Sequence, residues 1–184
     1  ENDAYNTVLS NIKTDGGVVV FNPNSFTDNG FLNFEGKTYR VNGIPAKGYK
    51  VIKLDEYKSA YRLDGKQLET SNYIVEFNDE YVITRLYDKI NDREVLRDGG
   101  RANYIEAFED LPYSYDAWEL SNYYTEKKYE ISDVSSVEFI DEGARFGFNI
   151  KRKFYKSEFC QKIWFYDNSA RIDFDTRADW HQEH

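Results

Sequence analysis

Short runs of strand-forming residues follow one another along most of this chain, and they constrain its fold more than any other feature. From Gly17 onward, runs such as GVVVFN, NYIVEFN and YVITRLYDK are rich in β-branched and aromatic residues. Turn residues separate these runs, for example Asn78-Asp79-Glu80. Runs of this length joined by short polar turns are typical of antiparallel sheets. The sequence therefore predicts an all-β protein built as an antiparallel β-sandwich.

The N-terminal residues follow a different period. Apolar side chains recur at the spacing of one helical face, at Tyr5, Val8, Leu9 and Ile12. The sequence Asp15-Gly16-Gly17 is expected to end this helix in the manner of a C-terminal glycine cap. Because a short amphipathic helix cannot bury its apolar face alone, we expect it to belong to a helical region that lies upstream.

The patterns predict three parts of the chain. Residues 1–15 are predicted to be the end of a helical region, and residues 16–56 a small β module. Residues 57–184 are predicted to be the β-sandwich. Within it, residues 98–124 are long, aromatic and poorly periodic, as functional loops on rigid β scaffolds often are.

The charge balance argues against several classes of partner. The chain carries 24 Lys and Arg against 33 Asp and Glu, a formal net charge of -9. This disfavours nucleic acid and anionic membranes as partners, because both need clustered cations. The basic run of residues 151–153 lies inside a strand pattern, and we expect it to be a solvated strand edge. No apolar stretch is long enough for a transmembrane helix.

Cysteine and methionine usage bear on the origin of the chain. Its single cysteine, Cys160, excludes an internal disulfide and favours a reducing compartment, so we expect a cytoplasmic protein. The chain contains no Met and lacks the pattern of a signal peptide. We therefore expect it to be a piece of a longer protein.

A group of potential metal ligands occurs near the end of the sequence. These residues are Asp179, His181, Glu183 and His184. The preceding alternation predicts a strand, on which residues three apart point to opposite faces. We therefore expect no metal site built from these four residues alone.

Two carboxylates in the last predicted strand are a second candidate site. Asp173 and Asp175 lie two residues apart and share one face, so they could form the carboxylate pair that glycosidases use. The alternative is a solvent-exposed face of ion pairs, since Arg171 and Arg177 continue the same face. The sequence favours the ion-paired face.

The third candidate is an aromatic loop within residues 98–124. Its sequence PYSYDAW brings four candidate residues close together, namely Tyr113, Tyr115, Asp116 and Trp118. Aromatic rings stack on the apolar face of a pyranose, and a carboxylate accepts hydrogen bonds from vicinal hydroxyls. These four residues are therefore predicted substrate-binding residues. The alternative is that Trp118 and the tyrosine rings cap the sandwich core.

Five sequence blocks follow one another along the chain. The first two are VVVFNPNSF and IPAKGYKVI. The next are ITRLYDKINDREVL and FEDLPYSYDAWEL, and the last is QKIWFYDNSARIDFDTRADWHQEH. Together, in this order and from Val18 to His184, they resemble glycoside hydrolase family 38, the α-mannosidases. The resemblance implies that residues 1–15 are the end of a helical bundle and that the β-sandwich of residues 57–184 is truncated at its C-terminal end. The FEDLPYSYDAWEL block resembles the bacterial type of the family and contains all four candidate residues of the loop.

The resemblance implies a multidomain, zinc-dependent, retaining α-mannosidase that hydrolyses terminal α-mannosides. In such enzymes an α/β barrel carries the zinc ligands and the nucleophile, a helical bundle follows, and β domains pack back on the barrel. This chain matches only the β region, which belongs to the galactose-mutarotase-like kind. The resemblance therefore implies no catalytic residue and no zinc ligand in this chain, and zinc only in the catalytic barrel.

The implied role is that of a non-catalytic domain that supports the barrel and shapes the substrate cleft. Its expected partners are an α-mannoside or mannose oligosaccharide, the catalytic barrel, the helical bundle and a second copy of the protein in a homo-oligomer. Two alternatives remain open at this stage. One is a free-standing carbohydrate-binding β-sandwich, and the other is a purely structural spacer in which Trp118 is buried.

Overall fold

The structure is almost entirely built from antiparallel β-strands. The computed structural model describes residues 2–55, 57–115, 118 and 120–182. The strands in these residues pair with their neighbours in antiparallel register. The prediction of an all-β, antiparallel fold is therefore confirmed. The chain forms two compact units, one of residues 1–58 with 142–144 and one of residues 59–141 with 145–184.

The described part of the first unit consists of one helix and short antiparallel strand pairs. Its elements are α1 (Asn2–Ser10), β1 (Val18–Asn22), β2 (Asp28–Phe34), β3 (Lys37–Ile44) and β4 (Gly48–Ile52). Strand β1 pairs with β4, and β2 pairs with β3. The β2–β3 hairpin turns on Glu35 and Gly36, whose φ angles of 50° and 76° are those of a type I′ turn. Glycine at the second position makes this turn accessible.

Helix α1 is shorter than the sequence pattern predicts. It ends at Ser10, so the Asp15-Gly16-Gly17 turn lies outside it and leads into β1. The Ser10 hydroxyl and the Asn11 amide both donate to the carbonyl of Thr7, at 2.9 Å and 2.8 Å. Such side chains compete with the backbone bonds that would continue the helix. No helix in the described residues is long and apolar enough to cross a membrane.

The second unit is built around two larger sheets. Its strands are β5 (Arg62–Asp64), β6 (Gln67–Glu69), β7 (Tyr73–Phe77), β8 (Ile83–Asp88), β9 (Arg93–Glu94), β10 (Glu106–Phe108), β11 (Lys128–Glu130), β12 (Asp133–Asp141), β13 (Arg145–Phe154), β14 (Ser157–Tyr166) and β15 (Ile172–Asp179). Strands β5 to β9 form one sheet in sequence order, and β12 to β15 form the other. Strands β10 and β11 form a separate pair.

One apolar core lies between the two larger sheets. The five-stranded sheet contributes Leu68, Val75, Phe77 and Ile83, and the four-stranded sheet contributes Phe146, Phe148, Ile150, Ile163 and Phe165. The rings of Phe77 and Phe148 meet edge to face across the core, with centroids 5.0 Å apart. Two antiparallel sheets that share a core in this way form a β-sandwich, so the predicted architecture is confirmed.

Arg152 lies inside this sandwich. Its side chain is 1% exposed, and its Nη2 donates to the carbonyls of Glu80 and Tyr81 in the β7–β8 turn, at 3.0 Å and 3.2 Å. Burial lowers the pKa of Arg152, while the charge of Glu80 raises it. The arginine therefore connects the four-stranded sheet to a turn of the five-stranded sheet.

The burial of Arg152 corrects the expectation that residues 151–153 form a solvated edge. Strand β13 lies between β12 and β14 and is not an edge strand. Alternate residues of β13 face the core, so Arg152 follows Phe148 and Ile150 inward, while Lys151 and Lys153 are exposed.

The backbones of β13 and β14 approach each other closely at Gly147. A Cβ atom added to Gly147 would lie 1.9 Å from the carbonyl oxygen of Ile163, a backbone atom that cannot rotate away. Gly147 stands between the core residues Phe146 and Phe148. The absence of a side chain at this position thus allows the two central strands of the sheet to pair beneath the core.

We predict that Gly147→Ala lowers the free energy of unfolding of the second unit by about 2 kcal/mol or more, because the strands must separate to admit the methyl group. Urea denaturation followed by tryptophan fluorescence measures the loss, since Trp164 is buried in the same sheet. Gly30→Ala is the control, because a Cβ at Gly30 meets nothing within 4 Å. Equal stability of the two variants would contradict the prediction.

Candidate functional site

Residues 109–127, here called the aromatic loop, connect β10 to β11. The sequence pattern predicts an irregular segment over residues 98–124, but the structure places strand β10 inside it. The backbone N–H of Glu109 donates to the carbonyl of Lys127 at 3.0 Å and extends the β10–β11 ladder by one pair. The loop therefore leaves and returns at one defined point.

Charged pairs stabilise the base of the aromatic loop. Nζ of Lys127 lies 2.6 Å from the Glu109 carboxylate, and Nζ of Lys128 lies 2.7 Å from Glu106. The hydrogen bond that Lys127 donates to the Glu109 carboxylate raises the pKa of Lys127, because it favours the charged amine. Glu109 and Lys127 face each other across the two ends of the loop, whereas Lys128 reaches Glu106 diagonally across the β10–β11 ladder.

An open groove, here called the first groove, lies along the aromatic loop. Its volume is about 550 Å³. It is lined by Glu109, Leu111, Tyr113, Ser121, Tyr123, Tyr124, Glu126 and Lys127. The ring of Tyr124 packs edge-on against Phe108, with centroids 5.3 Å apart, while Tyr113 and Tyr123 stay exposed. Ring faces beside a few hydrogen-bonding groups are typical of small-molecule sites.

The structure separates the four predicted binding residues of the aromatic loop. Tyr113 lines the first groove, whereas Tyr115 and Trp118 stack on each other with centroids 5.7 Å apart and planes inclined by 30°. The backbone N–H of Trp118 also donates to the carbonyl of Tyr115 at 3.0 Å. Asp116 lies outside the described residues.

Trp118 is 85% exposed, so it does not cap the sandwich core. The alternative of a structural spacer with a buried Trp118 is therefore wrong. An indole that stacks on a neighbouring tyrosine and is largely exposed has most of its ring available to a partner.

A second groove lies beside the first. Its volume is about 180 Å³, and it is lined by Ala107, Phe108, Glu109, Tyr129, Phe154, Tyr155, Trp180 and Gln182. The rings of Phe154 and Trp180 stack with centroids 5.9 Å apart, and Tyr155 meets Phe154 edge-on at 4.8 Å. Gln182 donates from Nε2 to the hydroxyl of Ser157 at 3.0 Å. Aromatic and polar side chains thus converge here from four separate parts of the chain.

Sequence reasoning missed the second groove. Its aromatic residues lie in β10, in β11, at the end of β13 and in the turn that follows it, and just after β15, far apart in the sequence. Each alone is an ordinary strand or turn residue. The one available signal in the sequence was the aromatic pair Phe154-Tyr155 beside a turn. A tyrosine in a turn cannot contribute to a sandwich core, so this pair could have indicated a surface site.

The terminal cluster of potential metal ligands does not assemble in the described residues. His181 Nε2 lies 3.1 Å from the Asp179 carboxylate, and both side chains are exposed. Glu183 and His184 lie outside the described residues. Among the residues that are described, no group of three or more His, Cys, Asp or Glu side chains could hold a metal ion.

Asp173 forms an ion pair on the outer face of the four-stranded sheet. Its carboxylate lies 2.7 Å from Arg171 Nη2 and accepts a hydrogen bond from the Tyr166 hydroxyl at 2.8 Å. The hydrogen bond from Arg171 holds the pKa of Asp173 below its usual value, and Tyr166 acts in the same direction. The ion-paired reading of this face agrees with that geometry. Asp175 makes no ion pair with the other described residues.

The family model of the glycosyl hydrolases family 38 C-terminal domain matches residues 68–184. This chain belongs to that family. The match includes the sheets of the sandwich from β6 onward and the whole aromatic loop. No curated protein matches the chain.

Membership makes this family 38 C-terminal domain part of a glycoside hydrolase, with a glycoside as the substrate class and a catalytic domain as its partner. Three of the sequence blocks that carry the resemblance lie within the matched residues. The blocks VVVFNPNSF and IPAKGYKVI lie before residue 68, in the first unit.

We predict that Asp173→Asn destabilises the family 38 domain at neutral pH by about 0.5–1 kcal/mol. Because the folded-state pKa of Asp173 is lowered, its contribution is present above about pH 4 and is lost as the pH falls through the folded-state value. The stability difference between wild type and variant should therefore narrow from about pH 7 towards pH 3. Urea denaturation of both proteins at a series of pH values measures this difference in the free energy of unfolding.

Asp175→Asn is the matched control, since Asp175 lies on the same strand face without an ion pair among the described residues. Its effect should stay within about 0.5 kcal/mol at every pH. A pH-independent loss in Asp173→Asn would contradict the assigned role of the carboxylate.

Proposed function

We propose that the enzyme containing this domain is a zinc-dependent retaining α-mannosidase that hydrolyses terminal α-linked mannosides. The support is the family match over residues 68–184, together with the bacterial-type block FEDLPYSYDAWEL at the centre of the aromatic loop. In this proposal the zinc ligands and the nucleophile belong to the catalytic barrel. The β domain contributes no reacting group.

The proposed role of the β domain is to support the barrel and to shape the substrate cleft. The observation that carries this role is the exposed aromatic loop. Tyr113, Tyr115 and Trp118 all present ring surface to solvent from a base fixed by the Glu109–Lys127 pair. Their rings would stack on the mannoside, and Asp116 would accept hydrogen bonds from its hydroxyls.

The proposal includes a cytoplasmic location and a homo-oligomer. The single Cys160, which is half-buried and donates to the Asn149 side chain at 3.2 Å, suits a reducing compartment. Strand β15 ends the four-stranded sheet and carries exposed Phe174. A sheet edge of this kind can pair with a second copy.

We predict that the natural protein containing this domain hydrolyses an aryl α-mannoside, and that the 184-residue chain alone does not. A chelator should reduce the activity of the natural protein by more than about tenfold, and added zinc should restore the activity. Release of the aryl group measures both. Chelator-sensitive turnover by the chain alone, or chelator-resistant turnover by the natural protein, would overturn the proposal.

A carbohydrate-binding role of the β domain, exercised without the catalytic domain, is the second candidate, and the exposed Tyr115–Trp118 stack favours it. It predicts that the chain alone binds mannose and that Trp118→Ala weakens this binding by about tenfold, because the indole supplies the stacking surface. Titration by calorimetry measures the affinity. Phe174→Ala is the control, since Phe174 is exposed but lies outside the loop. Equal affinities of the two variants would exclude this candidate.

A further inference from the structure

The two grooves share a wall formed by one ion pair. Glu109 lines both grooves, and Lys127, its partner at 2.6 Å, lines the first. Nζ of Lys127 also lies 5.9 Å from the centre of the Tyr129 ring, which lines the second groove. The first and second grooves are therefore neighbouring parts of one surface, with a hydrogen-bonding pair at the divide.

Exposed rings lie on both sides of this divide. Tyr123 in the first groove is 61% exposed, and Tyr155 in the second is 74% exposed. Contacts with other rings hold Tyr155, because it meets Phe154 at 4.8 Å and Tyr129 at 6.3 Å. Since the ring is held by its neighbours before any ligand arrives, little side-chain freedom is lost on binding.

The polar groups between the rings are those that hydroxyls require. Glu109 and Glu126 supply acceptors, and Lys127 supplies a charged donor. In the second groove, hydrogen bonds to Ser157 and to the carbonyl of Phe154 fix the Gln182 amide, at 3.0 Å and 3.4 Å. A chain of pyranose rings presents apolar faces and polar edges in the same alternation.

Other classes of ligand fit this surface less well. An apolar protein partner would bury the carboxylates and the amine without replacing their water, which is costly. Nucleic acid would meet two carboxylates and a chain of net charge -9.

We infer that the first and second grooves together bind an oligosaccharide, with at least one sugar unit on each side of the Glu109–Lys127 pair. The inference rests on the proposed function in taking a glycan as the ligand. It extends that function by assigning a second sugar position to Tyr155, Trp180 and Gln182, outside the aromatic loop.

The test is titration of the 184-residue chain with mannose, with α-linked mannotriose and with glucose and galactose trisaccharides. One of the trisaccharides should bind at least about tenfold more tightly than its monosaccharide, because only the longer ligand reaches both grooves. The substitutions Tyr123→Ala and Tyr155→Ala should each lower the affinity for the trisaccharide by about tenfold. Both side chains are exposed, so both variants should fold, which thermal melting by circular dichroism verifies.

Phe174→Ala and Tyr104→Ala are the controls, since both rings are exposed and neither lines the first or the second groove. These two variants should bind the trisaccharide with an affinity within about twofold of that of the wild type. The inference is overturned if no trisaccharide binds saturably, if monosaccharide and trisaccharide bind equally, or if either tyrosine variant behaves like the controls.

The outcomes for this inference and for the proposed function can be told apart. Binding of a glucose or galactose trisaccharide with the expected variant pattern would uphold the two-groove surface and contradict specificity for mannosides. A chelator-sensitive α-mannosidase whose tyrosine variants bind the trisaccharide normally would uphold the proposed function and overturn the surface.

Discussion

The sandwich depends on the close approach of β13 and β14 at Gly147. A backbone carbonyl occupies the space that any side chain at this position would need. The core rings of Phe146 and Phe148 flank the contact, and Ile163 and Phe165 face them from β14. If the two strands moved apart, these four side chains would lose their packing against the five-stranded sheet. Interiors packed to this density respond to shifts of less than one ångström.

The aromatic loop is attached to this scaffold at a single place. The β10–β11 ladder and the Glu109–Lys127 pair fix both ends of the aromatic loop, while its rings remain outside the core. The second groove uses the β13–β14 turn and the residues after β15, which the four-stranded sheet positions. Rigid strands thus hold exposed aromatic side chains, a division of roles common among binding sites on β scaffolds.

The sequence predicted those features that depend on local pattern. The alternating runs predicted the antiparallel sheets, and the block containing Tyr113 and Trp118 predicted the aromatic loop. The sequence patterns did not predict those features that depend on contacts between residues far apart in the chain. Arg152 looked like a surface residue because its core partners, two carbonyls of a distant turn, are invisible in the sequence. Helix α1 ended early because Ser10 and Asn11 bind a backbone carbonyl. The second groove gathers residues from four places in the chain, which no spacing rule can detect.

The short segment 142–144 joins β12 to β13 yet belongs to the first unit. The N–H of Thr38 donates to the carbonyl of Glu142, and the N–H of Ala144 donates to the carbonyl of Thr38. The polypeptide therefore passes between the units three times. A protease that cut only between residues 58 and 59 would leave residues 142–144 on the larger piece, and Thr38 would lose its backbone partners once the pieces separated. Dissection of the protein by a single cut thus damages the smaller unit, whereas recombining the two pieces could restore it.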